Sequence, residues 1–580
     1  MRWRRFITPW PVAPLPAWMI FPAIFAALGL SHLTLLKLPY YWDEAGYYIP
    51  AAWDFFRTVG SQLMRTFDKP DSAFWKLGLQ LMDGFLGSLI PVTTLSNAHP
   101  PLPSIYLALC WQLFGYCPRV TRLAVLGAAA LGLTAVWRLA IRLEGVPAVA
   151  FWTVALTALY PVWFAQSSLA HADIFAAACT LWGLACALPA LDRVPHRKPW
   201  ASALWFAAAS LCKETAIVIP LTLAAVSLFE SYRAPGMART RLRREAAWLV
   251  GCVLPLAAWY AYHRWKTGFL FGNPEFLRYN AQANLEPLRF LAAFGHRLLH
   301  LTAHMFLFVP VLMALAALLL EPRGDRDQRS EIRDQGGVAG QARPGIAPDA
   351  LRRILLLLLV NAALFSFLGG ALLTRYLLPM YPLVLLMAVT TFYRRVPWWQ
   401  GLATVCAAAF VLGIFINPPY GFAPEDNLDY ARVIRLHQAG IAELEKRYPG
   451  ATVLSAWPVT DELTRPELGY LKQPFAVTPI DDFSAAQIAR AAQETEKFSA
   501  ALVFSTKADP SSALFTLGQA SKAMDERYFG LHHDLKPEEI ALQLHGTLVW
   551  KQEDHGQWIA LIRFNRQLEA RAGMGNDQTE

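Results

Sequence analysis

Charged residues are scarce in this chain. They make up 16% of its 580 residues, against 55% apolar residues. So little charge could still dress several soluble domains if the apolar residues were dispersed as separate cores, but they are concentrated in long runs. Cysteine is scarce too: most of the seven, Cys110, Cys117, Cys179, Cys186, Cys212, Cys252 and Cys406, lie in apolar segments and none in the polar C-terminal region. That distribution implies neither a disulfide nor a zinc framework. No internal repeat of fixed period is evident, which argues against an inverted-repeat transporter. A small-x-small cleavage site is also missing. Met1-Arg2-Trp3-Arg4-Arg5 opens as a signal peptide would, but the apolar run that follows, 16–38, is about 20 residues long and reads as an uncleaved first span.

What the chain does have is membrane-length apolar sequence. The stretches 245–262, 351–369 and 397–416 contain few or no charges over about 18–20 residues, enough to cross a bilayer core as a helix. With a mean hydropathy of +0.30, the fold class is mainly α, a polytopic membrane protein. The net charge of +9 does not indicate nucleic acid, because the arginines sit in short loops between apolar runs, where they set topology. Placing the Arg-rich loops in the cytoplasm (the N-terminus, 138–146, 193–198, 233–244, 321–353 and Arg394-Arg395) gives about eleven transmembrane helices in the inner (cytoplasmic) membrane. The N-terminus is then cytoplasmic and the C-terminus outside.

On the outer side this threading leaves a large loop, 39–118, with surface helices expected at 44–64, 73–89 and 101–115. The last is apolar but short for a span. Residues 321–350, rich in charge and Gly, read as a disordered cytoplasmic linker. The membrane domain covers 1–416. Residues 417–580 have the composition of a soluble, extracytoplasmic α/β domain, with a helix at 427–448, strands at 452–457 and 500–505, a capping box at Ser484 and a hairpin around Asp554-His555-Gly556.

Polar residues costly in hydrocarbon gather in the outer loops: Asp43, Glu44, His99, Arg119, Arg122, His171, Asp173, Lys213, Glu214 and Arg375. An ionised side chain at mid-membrane costs roughly 2.5–3.5 kcal/mol on insertion scales, so such groups invite a functional explanation. Carboxylates and cations in an apolar-walled site suit a reaction on an anionic, membrane-embedded substrate. The cations can bind phosphate, and a carboxylate can take a proton from an acceptor hydroxyl or amine. Plainer roles are open for each. Asp43 and Glu44 would cap the surface helix that follows, Asp173 would cap its own helix, and Lys213 and Arg375 would snorkel to the interface.

The order Trp42-Asp43-Glu44-Ala45, Asn97-Ala98-His99-Pro100-Pro101-Leu102, Arg122-Leu123, Ala170-His171-Ala172-Asp173, Cys212-Lys213-Glu214-Thr215 and Thr374-Arg375-Tyr376-Leu377-Leu378-Pro379 resembles the GT-C superfamily of polyprenyl-phosphate-sugar glycosyltransferases. More narrowly it is similar to the branch of protein O-mannosyltransferases and lipid A aminoarabinose transferases. The likeness spans the membrane region and leaves 417–580 outside. It implies that the first acidic pair lines the catalytic cavity, with Asp43 the candidate base and Glu44 an orienting group or cation ligand. It also implies that Lys213 and Arg375 bind the donor phosphate, that His99 and Asp173 contact substrate, and that Arg122 contacts substrate or braces the acidic pair. His99 before Pro100-Pro101 resembles the mannosyltransferase pattern, whereas aminoarabinose transferases more often carry Lys there.

The expected function is an integral-membrane glycosyltransferase moving a sugar from a polyprenyl-phosphate donor to a lipid, glycan or protein acceptor at the outer face of the inner membrane. The expected partners are that donor, the bilayer and an unidentified acceptor, with no nucleic acid. Asp43, Glu44 and His99 would admit a divalent cation as the one cofactor, and no metal ligands are assigned. The alternatives are a lipid or sugar translocator, which would place polar pairs at mid-membrane depth, and a non-catalytic membrane scaffold with an outer ligand-binding domain.

Overall fold

The computed structural model describes residues 16–67, 99–188, 199–270, 286–323, 345–368, 372–506, 527 and 534–564. The N-terminal arginines, the surface helix expected at 73–89, the loop 193–198, linker residues 324–344 and the end of the chain lie outside the described residues.

Among the described residues the chain is mainly helical, as its apolar runs require. Pro118–Glu144, Glu214–Arg233, Gly236–Thr267 and Pro348–Phe367 are long and apolar enough to cross a membrane, and the pair Pro287–Phe306 with Phe308–Leu318, bent by 99°, makes up to five. This is a multi-pass membrane protein. Six further apolar helices, among them Ala172–Ala187 and Trp399–Phe415, run for only 10–17 residues, so length alone does not yield the eleven spans expected. The causes are local. Pro161 starts a new helix immediately after Pro147–Leu159 ends, and polar turns delay other helix starts. The end of the expected linker is corrected: Pro348, at a first-turn position with Asp349 beside it, starts a helix inside 321–350.

Small residues let the helices approach closely, as membrane packing favours. Gly183 faces the Phe206 ring so closely that an added Cβ would sit 2.5 Å from it, and Gly132 lies against Trp163 and the backbone of Ala178. The loops divide between two ends of the bundle. At one, Arg394 pairs with Glu144 at 3.1 Å and Arg353 with Glu230 at 2.6 Å, joining loops all expected in the cytoplasm. Described residues of the loops expected outside, Asp43, His171, Lys213 and Arg375 among them, meet one another elsewhere.

The C-terminal region carries a five-stranded sheet: β1 (Thr452–Ala456), β2 (Ala476–Ile480), β3 (Ala500–Phe504), β4 (Thr547–Asp554) and β5 (Gln557–Arg563), in the order β2-β1-β3-β5-β4. β1 pairs parallel with β2 and β3, while β5 runs antiparallel to β3 and β4. The β4–β5 turn uses His555 at φ 49° and Gly556 at φ 82°, the left-handed pair of a tight hairpin. Helix Asp429–Arg447 lays Gly440 against Ile559 and Leu502.

This region docks on the first acidic segment. The Trp457 ring meets Trp42 edge-on at 5.3 Å and Tyr47 at 5.7 Å, and Tyr470 donates to the Tyr40 carbonyl at 2.8 Å. Between them Gly46 leaves no room, since a Cβ there would sit 2.5 Å from the Trp457 indole nitrogen. Gly46→Ala is therefore expected to push Trp457 aside at a cost of about 1–3 kcal/mol. Faster limited proteolysis of the C-terminal region than in wild type would reveal it; unchanged cleavage would show that the contact holds nothing in place.

Candidate active site

The segment after the first apolar helix turns sharply. Trp42 adopts φ 44°, where a bulky side chain is strained by roughly 1–2 kcal/mol, and the contact with Trp457 helps hold it. Glu44–Tyr48 then winds as a single π-turn before helix Ile49–Phe67, a distortion frequent at functional sites. The consequence is that Asp43 and Glu44, adjacent in sequence, face different partners.

Glu44 is fully buried and fully occupied. Its carboxylate accepts Arg122 Nη1 at 2.6 Å, the Ala170 amide at 2.5 Å and the Tyr41 amide at 2.8 Å. Arg122, equally buried, gives its other hydrogens to the carbonyls of Ser168 and Pro39. Together they pin three segments to one another. Ser168 extends the contact to Tyr430 of the C-terminal region at 2.7 Å. A carboxylate so saturated is poorly placed to touch a substrate.

Asp43 reaches the other way, to Arg375. The short helical turn Thr374–Leu377 presents Arg375 at the centre of the cluster. Besides Asp43, it donates to Glu425 Oε2 at 2.8 Å and to His171 Nδ1 at 2.8 Å, and its Nε lies 3.4 Å from Asp173 Oδ2. Burial alone would lower the guanidinium's pKa, but the carboxylates of Glu425, Asp43 and Asp173 outweigh it and hold it well above the ordinary value. His171 is held well below its ordinary value by burial and by the charges of Arg375, Arg122 and Lys213, so its ring is neutral and can accept from Arg375.

Asp173, in the first turn of helix Ala172–Ala187, pairs with Lys213, whose ammonium sits 4.0 Å above the Tyr376 ring. A small cleft with about 20 Å³ of room lies beside Arg375, Asp173 and Lys213, between Ala176, Ile219 and Phe365. Its walls come from three apolar helices. His99 stands apart, stacked on Tyr48 at 5.5 Å and 3.5 Å from Glu214.

The structure thus brings Asp43, Asp173, Lys213 and Arg375 into one cluster, sets Glu44 and Arg122 in a buried brace beside it, and leaves His99 on its flank. Asp43, Glu44 and His99 face three different partners, and among the described residues no three His, Cys, Asp or Glu side chains are placed to hold a metal ion. Asp43, Glu44 and His99 are thus not assembled as one ligand set.

Sequence reasoning missed Glu425 and Asp426. Glu425 closes the ring around Arg375, and Asp426 accepts from Thr374 and lies 2.9 Å from His304 Nε2. The signal was there: an acidic pair shortly after the last apolar run, just as Asp43-Glu44 follows the first.

Residues 98–264 match the family of dolichyl-phosphate-mannose-protein mannosyltransferases. Over that segment, less than a third of the chain, the match agrees with the mannosyltransferase likeness read from the motifs and supports membrane glycosyltransferase chemistry in general. The matched segment contains His99, Arg122, Asp173 and Lys213 and leaves Asp43, Arg375 and Glu425 outside it. Two solved structures of ArnT from Cupriavidus metallidurans are similar to the chain, each 14% identical and covering 94% of this chain and 98% of that one. The apo form has a TM-score of 0.47 and the form bound to undecaprenyl phosphate 0.49. No curated protein matches the chain.

Proposed function

We propose that the protein transfers a sugar from a polyprenyl-phosphate carrier to a lipid, glycan or protein acceptor at the outer face of the inner membrane. On this reading it crosses the membrane about eleven times, with a cytoplasmic N-terminus and residues 417–580 as an extracytoplasmic α/β domain. The observation that carries the reading is the convergence of Asp43 and the Asp173–Lys213 pair on Arg375, with Arg375, Asp173 and Lys213 lining a small cleft between apolar helices. The family matched by 98–264 is named for a lipid-phosphate-linked sugar, and such a donor needs this combination, cations for the phosphate and a greasy groove for the tail.

The chemistry follows from the placement. The acceptor oxygen or nitrogen attacks the anomeric carbon from the side opposite the phosphate, and the bond from that carbon to the phosphate oxygen breaks with inversion. The acceptor's proton passes to the Asp43 carboxylate. The lipid phosphate leaves with the bonding pair, and its charge is met by Arg375 in a fork and by Lys213 as a point charge. His99, on the flank, would contact the sugar or the acceptor. A non-catalytic translocator would need its polar pairs at mid-membrane depth, whereas these cluster where loops meet.

Incubating the purified protein with radiolabelled polyprenyl-phosphate sugars and a panel of acceptors tests the proposal: transferred label supports it, and donor binding without transfer across the panel sinks it. Lys213→Gln is expected to weaken donor binding by about 1.5–3 kcal/mol, roughly 10- to 100-fold in Kd, the value of a hydrogen bond to a charged group. An unchanged Kd would remove Lys213 from the phosphate site.

A further inference from the structure

Three carboxylates crowd around Arg375. Its guanidinium is buried and already engages Asp43, Asp173 and Glu425, with His171 accepting a further hydrogen. Its Nε makes no hydrogen bond, but a donor phosphate could grip Nη1 and Nη2 in a fork only by displacing a carboxylate. The displaced group would then stay buried as an unpaired charge, among the costliest states in a protein. The charge balance makes this worse: Asp43, Asp173 and Glu425 face only Arg375 and Lys213, so the cluster is negative before any phosphate arrives.

The three carboxylates differ in what they can fall back on. Asp173 keeps Lys213 as a partner. Asp43 has a side chain 19% exposed and can turn to solvent or substrate. Glu425 has neither recourse. Its side chain is 5% exposed, Arg375 is its one short cationic contact among the described residues, and its second oxygen, Oε1, is buried with no hydrogen-bond partner. The groups around it are Arg375 from the 374–377 turn, Asp43 and Tyr41 from the first acidic segment, Asp173 and neutral His171 from the start of helix Ala172–Ala187, and its neighbour Asp426. Gln166 fixes its backbone by donating to the Glu425 carbonyl at 3.2 Å. Burial pushes the carboxyl up to about 8, with Asp43, Asp426 and Asp173 adding to the shift and Arg375 opposing it.

We propose that Glu425 is the proton-holding positioning residue of the donor site: the lipid-linked phosphate binds the form of the protein in which Glu425 carries a proton and has yielded Arg375. The proton comes from water and resides on the carboxyl, and no other bond is made or broken. The C-terminal region thereby supplies a residue that sets when Arg375 is available. The inference rests on the donor reading given above.

The sign of the effect follows from linkage. Below the ionisation of Glu425 the binding form already dominates and affinity is flat; above it, each pH unit is expected to weaken binding about tenfold. Polyprenyl phosphate in detergent micelles serves as the probe, because its phosphate is already doubly ionised above pH 8. Calorimetric titration at pH 8.5 in two buffers of different ionisation enthalpy should show uptake of roughly three-quarters of a proton by the wild type. Glu425→Gln, which keeps the shape and cannot ionise, should bind with a nearly pH-independent Kd between pH 7 and 9.5. No proton uptake in the wild type, or a Glu425→Gln curve parallel to it, overturns the proposal. Should the wild type fail to bind polyprenyl phosphate at any pH, the donor reading itself falls. The uptake measurement uses the unaltered protein and so stands even if the variant does not fold.

Discussion

Asp43→Asn is expected to slow sugar transfer by about 10²–10⁴-fold, the contribution typical of a positioned general base. Asparagine keeps the size and can still accept a hydrogen from Arg375, so the cluster should assemble and donor binding should persist. It cannot take the acceptor's proton. The loss should therefore fall on kcat, measured as single-turnover release of label from a polyprenyl-phosphate sugar, with thermal unfolding in detergent left close to wild type. Full activity in this variant would remove Asp43 from the chemistry. It would also restore the plainer explanation of the acidic pair as a helix-terminal feature stabilised by the dipole.

The neighbouring carboxylate should behave in the opposite way. Arg122→Ala leaves Glu44 as a buried charge with two backbone amides and no cation, and Glu44→Ala strands Arg122 likewise. Breaking one side of a buried pair costs about 3–5 kcal/mol, so both variants are expected to unfold at markedly lower temperature, or to fail to accumulate as monodisperse protein. An apolar double replacement, Glu44→Leu with Arg122→Met, should recover part of the loss because neither partner then remains unpaired. If Arg122→Ala is instead as stable as wild type but binds donor poorly, Arg122 serves substrate and the brace is incidental. Neighbours in sequence, Asp43 and Glu44 thus predict separate signatures, one in rate and one in stability.

Much of the site was legible because membranes punish charge. A lysine between two apolar runs, an arginine just ahead of another, and an acid at the start of Ala172–Ala187 are individually unremarkable in a soluble protein, but here each has to be accounted for. That pressure marked Asp43, Asp173, Lys213 and Arg375, and the structure joins them. The same pressure is absent beyond Ile416. In a polar region a Glu-Asp pair carries no such penalty, so the one signal of Glu425 and Asp426 was their place just after the last apolar run, although they lie against Arg375, Thr374 and His304. The C-terminal hairpin was legible for a different reason: Asp554-His555-Gly556 supplies the left-handed turn that few other triplets would.

The helix count was less legible. Hydropathy reports the length of an apolar run, while prolines such as Pro161 and the bend between Pro287–Phe306 and Phe308–Leu318 decide whether the run is one straight helix.

By itself, the sequence determined the class of the protein, the segregation of its loops and the residue types gathered at one end of the helices, because burial of apolar surface and exclusion of charge from hydrocarbon act on each segment separately. Only the tertiary structure decided which of two adjacent acids reaches Arg375, that the C-terminal region lends a carboxylate to Arg375, and how Arg122 is held against Glu44. Those outcomes depend on a strained turn at Trp42 and on contacts between residues far apart in the chain, for which no local rule fixes a direction.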